Sequence, residues 1–190
     1  MQRRSLPSRR LFLRLATGGL AIPALPAFAG FNFFLSEYTA TRAELQAQID
    51  KRFPVRQRYA ELFTVELRDP RLGLDAPANR AAITARMTIG SALMQPSSIE
   101  GVVSLSSALR YDAAARAVRL DQPKADRIEL QGLGGGDAQR LQRIGGLVAQ
   151  ELLRDYPLVT FKPEDLTVGR KTYEIGEITV QADDIKVELK

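Results

Sequence analysis

Ile83-Thr84-Ala85-Arg86-Met87-Thr88-Ile89 carries an apolar side chain at every second position and a polar one at most positions between. In an extended chain successive side chains point to opposite faces, so this stretch predicts a strand with one buried face. The same period runs outward in both directions. Upstream, Phe63, Val65 and Leu67 alternate with Thr64, Glu66 and Arg68, and Leu72 and Leu74 resume after Asp69-Pro70. Pro77-Ala78-Asn79 is a turn signal. Downstream, Ile99, Val103, Leu105, Leu109 and Tyr111 hold alternate positions, and Asp112 to Arg116 reads as a connection. Val118 and Leu120 form a further strand, which Ile128, Leu130 and Leu133 either extend or follow with another after Pro123. Connections of hairpin length join antiparallel neighbours, so the region reads as a meander of long strands.

On either side of the meander the period changes to that of a helix. Thr41-Arg42-Ala43-Glu44 has the form of a capping box, Leu45, Ile49 and Phe53 follow at helical spacing, and Pro54 stops the run after about three turns. Beyond Gly134-Gly135-Gly136, Asp137 is a good N-cap. Leu141, Ile144, Val148 and Leu152 then recur at three and four until Pro157, giving a helix roughly 28 Å long. Phe31 to Leu35, Leu158 to Phe161, Tyr173 to Val180 and Ile185 to Leu189 read as strands. The expected class is α+β, an antiparallel sheet with helices packed on one face.

The formal charge of +5, from 27 basic and 22 acidic residues, suggests a partner made of phosphate until the charges are located. Arg3, Arg4, Arg9, Arg10 and Arg14 precede residue 30, where there is no acid, so the remainder balances at 22 against 22. A neutral domain has no general electrostatic reason to seek a nucleic acid. Those arginines belong to a leader. Arg9-Arg10 forms a twin-arginine pattern, Leu15 to Ile22 is a short apolar run, and Ala27-Phe28-Ala29 is a small-x-small cleavage site. The expected organisation is a signal peptide over residues 1–29 and one domain over 30–190, destined for the periplasm. The apolar run is shorter than the roughly 20 residues that span a bilayer. The chain also lacks cysteine for a disulfide or a lipid attachment, so no permanent membrane anchor is expected.

Catalytic chemistry is sparse. With no histidine, the usual general base, the nucleophile triads and most zinc or copper sites are absent from the sequence. Asp183-Asp184 and the Glu151/Asp155 pair are the visible carboxylate candidates, and both read as solvated surface. Gly132-Leu133-Gly134-Gly135-Gly136 sits between strand and helix, where phosphate loops occur. Asp137 occupies the place of the third dinucleotide glycine, and no Lys-Ser/Thr follows, so a flexible turn is the better reading. No catalytic residue, metal site or cofactor is expected.

Tyr38-Thr39-Ala40-Thr41-Arg42-Ala43-Glu44-Leu45, ending in Phe53-Pro54, resembles the opening of the YceB-like family, domain of unknown function 1439. Leu152-Leu153-Arg154-Asp155-Tyr156-Pro157 followed by Val159 to Phe161 looks like that family's second helix and aromatic strand. The likeness spans roughly Phe34 to Leu189. It implies a long curled antiparallel sheet wrapped around one long helix, with a second short N-terminal helix, similar to half of the tubular lipid-binding architecture. It also implies an envelope protein without catalytic residues, in which the space between sheet and helix can hold acyl chains. This chain departs from the family's frequent lipoprotein anchor, having no cysteine after the leader.

The expected function is therefore non-enzymatic binding of a lipid or other apolar ligand in the periplasm. Met87, Ile89, Val103, Leu105, Ile144 and Val148 face inward from strand and helix and are the candidate lining. The same six would be ordinary core if the sheet closes tightly on the helix. The alternative is then a solid-cored envelope module that binds another protein by its surface or a sheet edge.

Overall fold

The computed structural model describes residues 30–190 except 33–35, 133 and 169. The Arg9-Arg10 pair and the Ala27/Ala29 cleavage site lie outside the described residues. Strands β1 (Gly30–Asn32) and β2 (Glu37–Thr41) lead into helix α1 (Arg42–Asp50). Then come β3 (Val55–Tyr59), β4 (Phe63–Asp75), β5 (Arg80–Gly90), β6 (Ser98–Asp112) and β7 (Ala117–Leu130). Helix α2 (Gly135–Leu153), β8 (Pro157–Thr160), a 3-10 turn (Pro163–Leu166), β9 (Thr167–Val168), β10 (Lys171–Thr172), β11 (Ile175–Val180) and β12 (Asp184–Leu189) complete the chain.

The meander expected around Ile83 is a six-stranded antiparallel sheet in the order β3-β4-β5-β6-β7-β8. Its inner face follows the alternation in register: Val65 pairs Ile89, Leu67 pairs Met87, and Leu72 pairs Ile83. On the other side of β5, Ile83 pairs Leu105 and Ala85 pairs Val103. The Asp69-Pro70 interruption is a register shift within one strand rather than a break between two. Asp69 there adopts a left-handed conformation with φ 51°, and the extra residue restores Leu72 and Leu74 to the inner face. Both hairpin turns at the far end use one device. Asp75 accepts from the Ala78 N–H at 3.1 Å and Asp112 from the Ala115 N–H at 3.1 Å, and left-handed Asn79 and Arg116 close the turns.

A second antiparallel sheet, β1-β2-β12-β11, and the short β9–β10 ribbon lie outside the meander. In it Ala40, Tyr38, Ile185, Val187 and Val180 share the face turned to the common core. The molecule is thus mostly β, with a strongly curled open sheet and two helices. That corrects the expectation of one sheet wrapped around one long helix with a short helix before it. Strands provide 55% of the described residues, in two larger sheets and the β9–β10 ribbon, and the helices span 42–50 and 135–153. The first is shorter than the three turns that Leu45, Ile49 and Phe53 suggested. Asp137 does not cap the second: it lies in the first turn, and Gly134 holds the cap position.

Each helix covers what the sheets leave bare. β3 pairs only with Phe63–Leu67, and α1 lies beside β4 beyond it, with Leu45 and Ile49 fully buried. β8 pairs β7 only at Ala117–Arg119. Along the rest of β7 runs α2, whose Gln142 side-chain amide donates to the Ile128 carbonyl at 3.2 Å. A helix laid on an unpaired strand removes an edge that would otherwise template aggregation.

Candidate binding sites

The six residues singled out by pattern converge on the contact between α2 and the large sheet. Met87, Ile89 and Val103 are fully buried, Leu105 and Val148 nearly so, and Ile144 is half-buried against them. The sequence feature that decides their packing is Gly145-Gly146, in the middle of α2. Two glycines inside a helix cost about 1 kcal/mol each relative to alanine, which points to a close approach. A Cβ at Gly145 would stand 3.0 Å from the Met87 Sδ and Cε and from the Ile89 Cδ1. At Gly146 it would stand 2.8 Å from the Ile128 Cδ1. The helix backbone therefore rests directly on the sheet, with the Met87 thioether and the Ile89 side chain against it.

Open space lies elsewhere. A cleft of about 260 Å³ separates α1 from β8. Its floor is Tyr38 and Ala40 of β2, one wall is the Glu44 and Gln48 flank of α1 with Arg52 just past its end, and the other is Pro157–Thr160 of β8. Phe161 donates its N–H to the Arg116 carbonyl at 2.8 Å, and Thr160 pairs Ala117 in the same register. Antiparallel pairs alternate, so Thr160 turns its own N–H and C=O away from β7 and towards the cleft. Glu44 is already engaged: its carboxylate accepts from the Thr41 N–H at 3.1 Å and from the Thr41 hydroxyl at 2.5 Å, closing the capping box. Burial, with the nearby charges of Glu44 and Asp165, pushes the Tyr38 hydroxyl up to about 12. Tyr38 packs edge-on to Phe161 at 4.9 Å, and Phe31 lies 4.6 Å from Tyr38, tying the small sheet to the end of β8.

Three of the four carboxylates read as surface are held by arginines, whereas Asp184 is half-buried and its Oδ1 has no hydrogen-bond partner among the described residues. Asp183 pairs Arg42, Asp155 pairs Arg110, and Glu151 pairs Arg154 at 3.1 Å. Asp155 does not share the helix face with Glu151, because α2 ends at Leu153 and Asp155 sits in the following turn with φ 57°. Gly132 and Gly135 take φ of 73° and 68°, and a Cβ at Gly132 or at Gly134–Gly136 would meet nothing within 4 Å. That is an open turn. Among the described residues no group of three acidic, histidine or cysteine side chains converges to hold a metal ion, and no helix is long and apolar enough to cross a membrane.

The chain matches no protein-family model, and no curated protein matches it.

Proposed function

We propose that the protein is a non-enzymatic, solid-cored interaction module of the bacterial envelope, exported by its leader and binding another protein in the periplasm. The observation that supports this reading is the seating of Gly145 on Met87 and Ile89, which brings α2 close against the sheet. Ligand sites commonly need about 300–1,000 Å³. Hollows of about 400–500 Å³ do reach that range, but they are lined by charged pairs such as Asp69 with Arg86 and Asp155 with Arg110, which suit no apolar ligand. The α1–β8 cleft, at about 260 Å³, offers peptide-like partners: the Thr160 backbone, Gln48 and Arg52. An extended segment laid along β8 would gain main-chain hydrogen bonds there, with Tyr38 beneath it. The twin-arginine leader and the charge balance of residues 30–190 support the setting, and the YceB-like resemblance points the same way. A photo-crosslinking residue at exposed Gln48 should capture a discrete protein in cells, whereas one at exposed Arg127 on the opposite side of the sheet should not. Equal capture at both positions, or none, would overturn the reading.

Carriage of an apolar ligand is the second reading. Met87, Ile89, Ile144 and Val148 form one apolar seam, and the open glycine turn before α2 would let that helix lift from it. It requires a ligand that replaces the Gly145–Met87 contact, and bound lipid in the purified protein would favour it.

A further inference from the structure

Three of the large apolar side chains that the described residues leave exposed gather at one end of the six-stranded sheet. Tyr59 and Leu62 are at the β3–β4 tip, 40% and 51% exposed, and Leu93 on the β5–β6 loop is 75% exposed. The register makes them neighbours: Tyr59 pairs Phe63, Thr64 pairs Gly90, and Gly90 pairs Ser98. The two tips therefore project side by side from adjacent strands, about 5 Å apart at their bases. Both are held in shape. Leu62 donates its N–H to the Tyr59 carbonyl at 3.2 Å, Ser91 donates to Ser97 at 2.9 Å, and the Leu93 N–H donates to the Ser91 hydroxyl at 3.2 Å.

β7 ends at Leu130 beside Gly101, so α2 begins at this same end. Its first turns carry exposed Asp137, Arg140 and Arg143, a net positive set, and the two arginines have no ion-pair partner among the described residues. This contrasts with Arg42, Arg56, Arg68, Arg110 and Arg154, each of which is paired.

We propose that this end of the molecule docks on an anionic lipid surface, with Leu62 and Leu93 entering the headgroup–acyl boundary, Tyr59 at its level, and Arg140 and Arg143 facing lipid phosphates. Footprint and charge select this occupant. Stable protein–protein interfaces bury about 1,200–2,000 Å² over a continuous core. Three side chains on two narrow tips, set among Thr64, Ser91, Ser97, Ser98 and the exposed Arg58–Glu61 ion pair, which carries no net charge, present no such surface. A bilayer interface accepts apolar side chains one at a time, adds electrostatic attraction for nearby arginines, and suits the amphipathic ring of tyrosine. Docking here leaves the α1–β8 cleft free and does not depend on it.

The chain has no tryptophan, so Leu93→Trp introduces a lone reporter. On addition of vesicles of phosphatidylcholine containing one quarter phosphatidylglycerol, its emission should shift to the blue and be quenched by brominated acyl chains. Val168→Trp is the control, since exposed Val168 lies beyond the opposite end of the sheet, past the β8–Arg116 contact, and should not shift. Combining Leu93→Trp with Leu62→Ser should weaken partitioning about tenfold, with unchanged circular dichroism. Arg140→Gln with Arg143→Gln should remove the preference for phosphatidylglycerol over pure phosphatidylcholine. Absence of a shift at 93, equal shifts at 93 and 168, or a shift at 93 that follows protein concentration without vesicles would each overturn the proposal, the last by assigning the tips to a second copy.

Discussion

Gln46 and Asn79 each carry a side-chain amide to a strand whose neighbour has run out. Gln46 donates to the Pro70 carbonyl at 2.9 Å and accepts from the Leu72 N–H at 2.8 Å, beside the β4 bulge where β3 no longer reaches. Asn79, at the β4–β5 turn, accepts from the Val180 N–H at 2.7 Å and donates to the Ile178 carbonyl at 3.3 Å on β11. Both span residues i and i+2, as the peptide group of an adjoining strand would, and so satisfy backbone groups that burial would otherwise leave unpaired. Gln46→Met keeps the shape but strands both groups and should cost about 1–3 kcal/mol in chemical denaturation. Asn79→Gly tolerates the φ of 51° and loses only the amide. Asn79→Ala adds backbone strain and should be the more destabilising of the two, with faster hydrogen exchange at Val180 in both. None of these roles was legible in the sequence, where Gln46 stands on a helix flank and Asn79 in a turn. An amide's partner is set by where a distant strand ends. Met87 is the opposite case. Its inward position was plain from the alternation, but whether it lined space or filled it depended on the glycines of α2. Met87→Ala should cost about 2–5 kcal/mol and open a cavity that takes up a small apolar probe the parent protein excludes.

Period-two alternation made the inner faces of β4, β5 and β6 readable, because each buries one face and wets the other. β3 escaped notice for the same reason: Arg56, Gln57, Arg58 and Tyr59 are all exposed, so no alternation marks the strand. The two helices differ in what holds them. α1 is short and depends on its ends, so Thr41→Ala, which breaks the capping box, should cost about 0.5–2 kcal/mol. It is also clamped by two tyrosines whose titration reports on its packing. Burial raises both Tyr38 and Tyr156 to about 12, and the Tyr156 hydroxyl donates to the Ile49 carbonyl at 3.4 Å. Below about pH 10 both the folded and unfolded chains keep these protons, and the stabilisation is complete. Between about 10 and 12 the unfolded chain releases them while the folded chain holds them, so stability falls as pH rises through that window. Denaturation midpoints should be steady from pH 8 to 9.5 and decline above 10, and Tyr156→Phe should make the decline shallower. α2 instead gains from close seating. Gly145→Leu should destabilise the protein by about 1–3 kcal/mol through overpacking, against the propensity gain of leaving glycine.

At the scale of the whole molecule, two sheets share one core, and neither helix is enclosed by a barrel of strands. The second sheet was the least legible part, since its strands come from the two ends of the described chain: β2 pairs β12 across more than 140 residues, as Thr41 with Asp184. Local pattern marks such strands but not their partner. The result is a body whose apolar stripes face one another, with the free features outside: a cleft beside β8 and two apolar tips at the β3–β4 and β5–β6 end of the sheet. On the proposed reading, the space between α2 and the sheet belongs to the protein. Native mass spectrometry of the protein purified from a periplasmic extract, followed by organic extraction, tests it most directly. The expected result is the mass of the polypeptide alone and no lipid in the extract. A discrete adduct that extracts as lipid, and whose occupancy falls in Gly145→Leu, would contradict it and restore Met87 and Leu105 as the lining of a ligand site.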